Sequence, residues 1–571
     1  MSDIKKTDFK SFSVAAIFSD HMVLQRNKYT AIFGEAADGS LVKAELFDAK
    51  GSLLGGNTCL AEAGRWLLQL QPQSAQTGCK LLVSCGSESR TFSDIAIGEV
   101  WLAGGQSNME FELQNCKEGP AELADDSAGK NVRFYYTNKI GWMDDKFFEA
   151  ERNTAWQTWK SPSRGAWSAV GYFFAKKLAE DLDCVVGLVG CNWGGTSASA
   201  WMRKEYLEAD RDLNTYLTEY EEATRGKSVE QQCKEFDNYE IENAKWQEGY
   251  SRLWEKDHGI SWEAAEKILG KNPWPGPKSC KNPYRPCGLY DCMISRILPY
   301  TLKGVLWYQG ESDDHKPAFY YKLFRAMVDN WRSDWNDNLL PFVSVQLPVH
   351  RYEADPDYKH WCLIREQQAK AAARLNNVWL TSAFDLGQYS DIHPRAKKVL
   401  AERMEALARA KVYQMIAAEE ACAPEFESCM PVYDETDKGS YCGSIVLTFA
   451  NAESGFEVRS DEVRLEEYKK MEERQGKSVS QEFSGFEVCG SDGVWYPADF
   501  ALGGTEGKLN TIVVCSKKVG RPVAARYGWY NYGPVTIYGK NGLPLCPFRT
   551  NAEDAGSEKS DHAKIQQIMT V

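Results

Sequence analysis

From about residue 96 to 412, short continuous apolar runs alternate with amphipathic stretches, and this alternation constrains the chain more than any other feature. The runs are 97-IGEVWLA-103, 131-NVRFYY-136, 185-VVGLVG-190, 303-KGVLWYQ-309, 342-FVSVQL-347 and 377-NVWLTS-382. Strands without polar alternation suit a parallel sheet covered on both faces. The stretches 168–181, 318–335, 363–375 and 395–412 carry helical periodicity. Together they predict a doubly wound α/β domain over 96–412. A charged, helix-like segment interrupts it, giving an expected insertion at about 203–285.

The flanks read differently. Short alternating runs such as 30-TAIFGEA-36 and 42-VKAELFD-48, punctuated by Gly, Asn and Asp, predict an N-terminal β domain over 1–95. Runs such as 443-GSIVLTFA-450 and 510-NTIVVCS-516 predict a C-terminal β domain over 413–550, followed by a polar, frayed tail at 551–571. A chain of 571 residues is too long for one core.

Charge and cysteine usage narrow the function classes. The formal net charge of -13 argues against non-specific binding to nucleic acid or anionic membrane. No run approaches the roughly 20 apolar residues that span a bilayer. The start, MSDIKKTDFKSF, has no apolar leader, and the 17 cysteines form no C-x-x-C pair. The expectation is a cytoplasmic protein with reduced thiols and no metal site.

The chemistry-bearing candidates lie at the ends of the apolar runs. In 98-GEVWLAGGQSNMEFELQ-114 a strand stops on two glycines before Ser107. Ligands of open α/β sheets bind at that edge, so Ser107 is a candidate nucleophile, or else only a helix N-cap. The usual G-x-S-x-G turn is absent. Of seven histidines (His21, His258, His315, His350, His360, His393, His562), His393 follows the last strand in a loop at the same edge. Asp391, two residues before it, is a candidate to orient the imidazole. The bland reading of DIHP is a polar turn with Pro394 at the first helical position. Gly195, in 190-GCNWGGTSASAW-201, and Gln309, in 307-WYQGESDD-314, are candidate oxyanion donors. Glu311 and Asp313 admit a glycosidase reading, but both lie in one loop, and Glu311 reads better as a loop-holding residue and a candidate substrate contact.

The blocks GQSNM at 105–109, WYQGES at 307–312 and DIHP at 391–394 resemble the sialate O-acetylesterase family of the SGNH hydrolases. So do 17-IFSDHMVLQR-26, 168-SAVGYFFAKKL-178, 194-GGTSASAW-201, 289-LYDCMI-294, 525-ARYGWYN-531 and 542-GLPLCPFRT-550. The resemblance implies an SGNH-type, flavodoxin-like sheet and a serine esterase removing O-acetyl groups from a sugar without metal or cofactor. Ser107 would be the nucleophile and His393 the base. Ser107, Gly195 and Gln309 would form the oxyanion hole, with Gln309 where other members of the superfamily place Asn. Asp391 stands two residues before the histidine where the superfamily's acid stands three, leaving a triad or a dyad. The implied partner is an O-acetylated carbohydrate, either sialic acid or a hemicellulose oligosaccharide of xylan, mannan or xyloglucan type. A non-catalytic carbohydrate-binding protein on the same fold is the reading from another class. Arg365 and Arg203 are candidates for a sialate carboxylate, and Trp274 and Tyr284 for stacking on a sugar ring.

Overall fold

The computed structural model describes residues 11–551, apart from 258–259, 261, 353–354, 436–440, 481 and 504–506. The chain start, His258, His562 and the expected tail from 552 onward therefore lie outside the described residues.

The six apolar runs form the central sheet. They are β1 (Glu88–Gly105), β2 (Val132–Tyr136), β3 (Val186–Asn192), β4 (Gly304–Tyr308), β5 (Phe342–Gln346) and β6 (Val378–Ser382). The order across the sheet is β2-β3-β1-β4-β5-β6, and every neighbouring pair is parallel. The short strand Gln157–Thr158 closes the β2 edge antiparallel. The chain builds β2 and β3 on one side of β1 and then crosses to build β4 on the other. The reversal opens a crevice beyond the carboxyl ends of β1, β3 and β4.

Helices cover both faces. The described elements include α1 (Ser107–Glu110), α2 (Ala169–Leu182), α3 (Val229–Lys256), α4 (Tyr320–Asp334), α5 (His360–Arg374) and α6 (Lys397–Lys411). Register pairs Trp101 with Gly304 and Trp307 with Gly104, so the pleat sends the two indoles to opposite faces. Trp101 meets Phe174 of α2 edge-on at 5.1 Å. Trp307 packs on Phe324 and Trp331 of α4. Helix α2 starts where Ser168 accepts from the Gly171 N–H, and it stops at Asp183, which takes the left-handed conformation.

Strand β1 also belongs to the N-terminal β region. Its first half pairs antiparallel with Gln76–Cys85, and Ala96–Gly98 pairs parallel with Val23–Gln25. One apolar core consequently runs from Phe12 through the central sheet to Cys422. A second core, which includes Val349 and Phe384, lies under the C-terminal strands. That region also holds a helix, Glu462–Arg474, that strand periodicity did not predict; nine of the 13 residues in EVRLEEYKKMEER are charged. Among the described residues no helix is long and apolar enough to cross a membrane.

The end of β1 depends on glycine. A Cβ on Gly105 would stand 2.1 Å from the Tyr308 carbonyl oxygen, and the residue's φ is +136°. The Gln106 N–H donates to the same oxygen at 3.1 Å, so β1 and β4 close on each other there. Gly105→Ala is expected to destabilise the protein by at least about 2 kcal/mol through strain and steric conflict. The midpoint of a denaturant titration would register the change.

Candidate active site

Ser107 emerges from that closed strand end as the first residue of α1, and Gln106, not Ser107, is the helix N-cap. The hydroxyl is therefore free of capping duty. Its Oγ lies 2.8 Å from Nε2 of His393, whose loop follows β6. Sequence separates the two by 286 positions; the sheet brings them into hydrogen-bond contact. The helix after His393 begins at Lys397, so Pro394 precedes it instead of opening it. Residues 391–396 are instead drawn across the crevice: the Ile392 carbonyl accepts from Asn108, and the Arg395 carbonyl accepts from the Lys117 N–H.

The imidazole is mostly buried, and burial pushes its pKa down to about 4, with the nearby Lys397 cation acting in the same direction. A neutral histidine beside a serine hydroxyl is ready to accept a proton. Asp391 does not touch the ring. Its Oδ1 accepts the backbone N–H of His393 at 2.9 Å, an Asx-type turn that shapes the loop. The spacing of two residues favours this local bond.

The glycine turn after β3 supplies the other side. A Cβ on Gly194 would lie 3.2 Å from Cβ of Ser107, so this backbone abuts the serine. The Gly194 N–H is committed to Glu110 Oε2 at 2.6 Å, and Glu110 in turn pairs with Lys139. Among the described residues the Gly195 N–H meets no protein acceptor. Gly195 takes φ +74°, in the left-handed region that favours glycine. The Ser107 N–H, in the first turn of α1, has no intrahelical acceptor either. Two backbone donors thus remain at the crevice.

Gln309 is not a third. Its Nε2 gives both hydrogens to protein acceptors, the Thr196 carbonyl at 3.1 Å and Asp313 Oδ2 at 2.7 Å. Asp313 is a buried acceptor serving Ser197, the Ala198 N–H, Gln309 and Tyr216. Glu311 is buried and accepts from Asn108 Nδ2 at 2.6 Å, and burial raises its pKa. Neither carboxylate faces a substrate, which removes both the glycosidase pair and the expected substrate contact of Glu311.

The two arginines are also committed elsewhere. Arg365 is fully buried, donating to the Pro348 and Tyr530 carbonyls and stacked 5.0 Å over Phe384. It joins the catalytic sheet to the C-terminal region. Arg203 pairs with Asp334 at 2.8 Å and with Glu205. Neither is placed to hold a carboxylate ligand.

Trp274 is at the site. A Cβ on Gly195 would meet Trp274 and Tyr284, each at 3.1 Å. Trp274 is 39% exposed, and its indole N–H donates to the Tyr284 hydroxyl at 2.8 Å. The long insertion helix α3 holds the loop that carries them. Gln232 bonds Ser279 and Cys280, Asp237 pairs with Lys281, and Tyr239 packs on Gly276. Tyr250 of α3 is near enough to Asp391 that, after burial, that carboxylate also raises its pKa.

Three residues at the site were not legible in sequence: Glu110, Asn108 and Lys397. Only Asn108 carried a signal, its position next to Ser107. Among the described residues no cluster of three or more His, Cys, Asp or Glu is spaced to hold a metal ion.

Comparison with known proteins places this chain among carbohydrate esterases. A family model described as "Carbohydrate esterase, sialic acid-specific acetylesterase" matches residues 97–251 and 278–409. The sialate O-acetylesterase of Homo sapiens is 23% identical over 580 residues, covering 95% of this chain and 94% of its own. That of Mus musculus is 25% identical over 429 residues, covering 70% of this chain and 74% of its own. Among solved structures, a carbohydrate acetylesterase from Xanthomonas citri superposes with a TM-score of 0.68 at 25% identity, over 94% of this chain and 99% of that one.

The buried environment of His393 has a direct readout. In an NMR titration its imidazole is expected to protonate with a midpoint near 4, well below 6.5. Asp391→Asn should leave that midpoint nearly unmoved; a fall of a unit or more would restore the carboxylate to the ring.

Proposed function

This chain belongs to the carbohydrate esterase family of sialic acid-specific acetylesterases and is a carboxylic ester hydrolase, and from that premise we propose that it deacetylates a sugar through an acetyl-enzyme on Ser107. The observation that carries this reading is the 2.8 Å contact between Ser107 Oγ and His393 Nε2, facing two uncommitted backbone N–H groups.

In this mechanism His393 takes the hydroxyl proton as Ser107 Oγ attacks the acetyl carbonyl. Negative charge gathers on the carbonyl oxygen, and the N–H groups of Ser107 and Gly195 receive it. The tetrahedral intermediate collapses, and His393 hands its proton to the departing sugar oxygen. Water then attacks the acetyl-serine, His393 accepts the water's proton, and acetate leaves as Ser107 regains its hydrogen. A pKa near 4 keeps the imidazole neutral and able to start the cycle in mildly acidic solution. Since Asp391 bonds only the backbone of the histidine loop, the reacting side chains are a serine–histidine pair.

For the substrate, the family description points to acetylated sialic acid, which is the first substrate to test. One observation favours the second reading, an acetylated neutral oligosaccharide of the hemicellulose type. Arg203 and Arg365 are both committed to other partners, and the surface beside Gly195 is aromatic. Indole and phenol faces suit the C–H face of a pyranose ring.

Three variants test these statements. Ser107→Ala should lower kcat for 4-nitrophenyl acetate on the order of 10⁴-fold or more; retention of activity would move the nucleophile elsewhere. Asp391→Asn should lose less than about threefold, since an amide oxygen still accepts the His393 N–H. Trp274→Ala should raise KM roughly three- to tenfold for acetylated oligosaccharides while leaving the small ester unaffected. Comparing kcat/KM on acetylated sialic acid with that on acetylated xylo- and manno-oligosaccharides decides between the two substrates.

A further inference from the structure

A fully buried lysine lies behind the reacting pair, and the mechanism above does not use it. Lys397 is 1% exposed, at the start of α6. Its Nζ donates to Asn108 Oδ1 and stands over the rings of Phe111 and Tyr308, 4.8 Å and 5.6 Å from their centroids. Asn108 spends its two amide hydrogens on Glu311 Oε1 at 2.6 Å and the Ile392 carbonyl at 2.9 Å.

The chain positions give this cluster its meaning. Asn108 follows Ser107 directly, and Ile392 directly precedes His393. One side chain therefore ties the nucleophile's turn to the base's loop through adjacent residues. The amide can face only one way: its nitrogen meets two acceptors and its oxygen meets the ammonium. Turning it over would set oxygen against a carboxylate and nitrogen against a cation, leaving buried groups unmet at about 1–3 kcal/mol each. Lys397 and Glu311 thus fix the amide, and the amide fixes the distance between the two loops.

We propose that Asn108, locked in orientation by Lys397 and Glu311, is the positioning group that sets His393 against Ser107, in the place where a triad would use a carboxylate on the imidazole. This rests on the reading that Ser107 and His393 are the reacting pair. Asn108 touches neither the reacting atoms nor the substrate, and it acts by holding the two loops in register. The lysine has a second effect, through its charge. The groups facing His393 are Ser107, Asp391 in its own loop, Lys397 on α6 and the buried imidazole of His350. Those facing Lys397 are Glu311, Asp391, Cys116 and His393. Of these, Lys397 is the cation that, after burial, holds the His393 pKa down; burial brings the lysine's own pKa to about 7.

The full-length protein with 4-nitrophenyl acetate tests this by separating kcat, KM and the acid limb of kcat/KM. Asn108→Ala is expected to lower kcat roughly ten- to a hundredfold with KM within about twofold, as a small misplacement of reacting groups does. The lysine remains in that variant, so the acid limb stays near 4. Lys397→Met is expected to lower kcat similarly and also to move the acid limb upward, toward the ordinary histidine value of 6.5. Lys398→Met, on the outer side of the same helix, should change neither. An Asn108→Ala enzyme, or a folded Lys397→Met enzyme, with kcat within about twofold of the parent would overturn the proposal. If Lys397→Met does not fold, Asn108→Ala decides alone. Ser107→Ala in the same assay keeps the two questions apart. Activity surviving there sinks the reacting pair itself, whereas activity lost there but intact in Asn108→Ala sinks only the positioning role.

Discussion

The crevice exists because β1 is shared. Its 18 residues begin in the N-terminal β region, where pairing is antiparallel, and end in the centre of a parallel sheet. Flanked by β3 and β4, it is the strand at which the winding reverses, so no connection covers its carboxyl end. The crevice is held from both ends, by a core continuous with the N-terminal strands below and by the loops of β3, β4 and β6 above. The site residues follow four strand ends spread between Gly105 and Ser382, and a rigid sheet is what makes angstrom-level placement possible.

Burial then decides what each polar group at the crevice can do. An unpaired buried donor or acceptor forfeits about 1–3 kcal/mol, so most polar side chains here are tied to protein partners. Gln309, Asp313 and Glu311 are spent in this way, forming the frame beneath the site. The groups left without other partners, a neutral imidazole, a hydroxyl and two backbone N–H groups, are those the proposed acyl transfer uses. The same low polarity that makes an orphaned group expensive also strengthens the interaction of a developing oxyanion with those donors.

Much of this was legible in sequence. Six apolar runs gave the six central strands, because parallel strands buried on both faces leave an unmistakable pattern. Ser107 was legible because it follows the end of β1 by two residues, and His393 because its loop leaves β6 at the same sheet edge. Arg365, Arg203 and Gln309 were misread for one shared reason. Sequence shows that a side chain can donate hydrogen bonds, but not which acceptor three-dimensional packing sets beside it. Arg365 finds the Pro348 and Tyr530 carbonyls, and Gln309 finds Asp313, four residues away around a tight turn. Lys397 lies in the 395–412 helical stretch without any mark of its own; its burial depends on the rings of Phe111 and Tyr308, which arrive from distant segments.

The insertion divides the labour of the site. The family model leaves residues 252–277 unmatched, and Trp274 lies within that stretch. Ser107, Asn108, Gly195, Tyr284 and His393 lie in matched sequence, whereas Trp274 lies outside it. A partly exposed indole gives a defined stacking face only if its loop is rigid, since ordering a mobile loop on binding would consume most of a gain of about 1 kcal/mol. Helix α3 provides that rigidity: Gln232, Asp237 and Tyr239 grip the loop over two turns, and Ser228 caps the helix that carries them. Stacking selects by ring shape and hydrogen-bonded frame residues do not, so in the proposed reading this wall is where the sugar would be distinguished and the strand ends are where the ester would react.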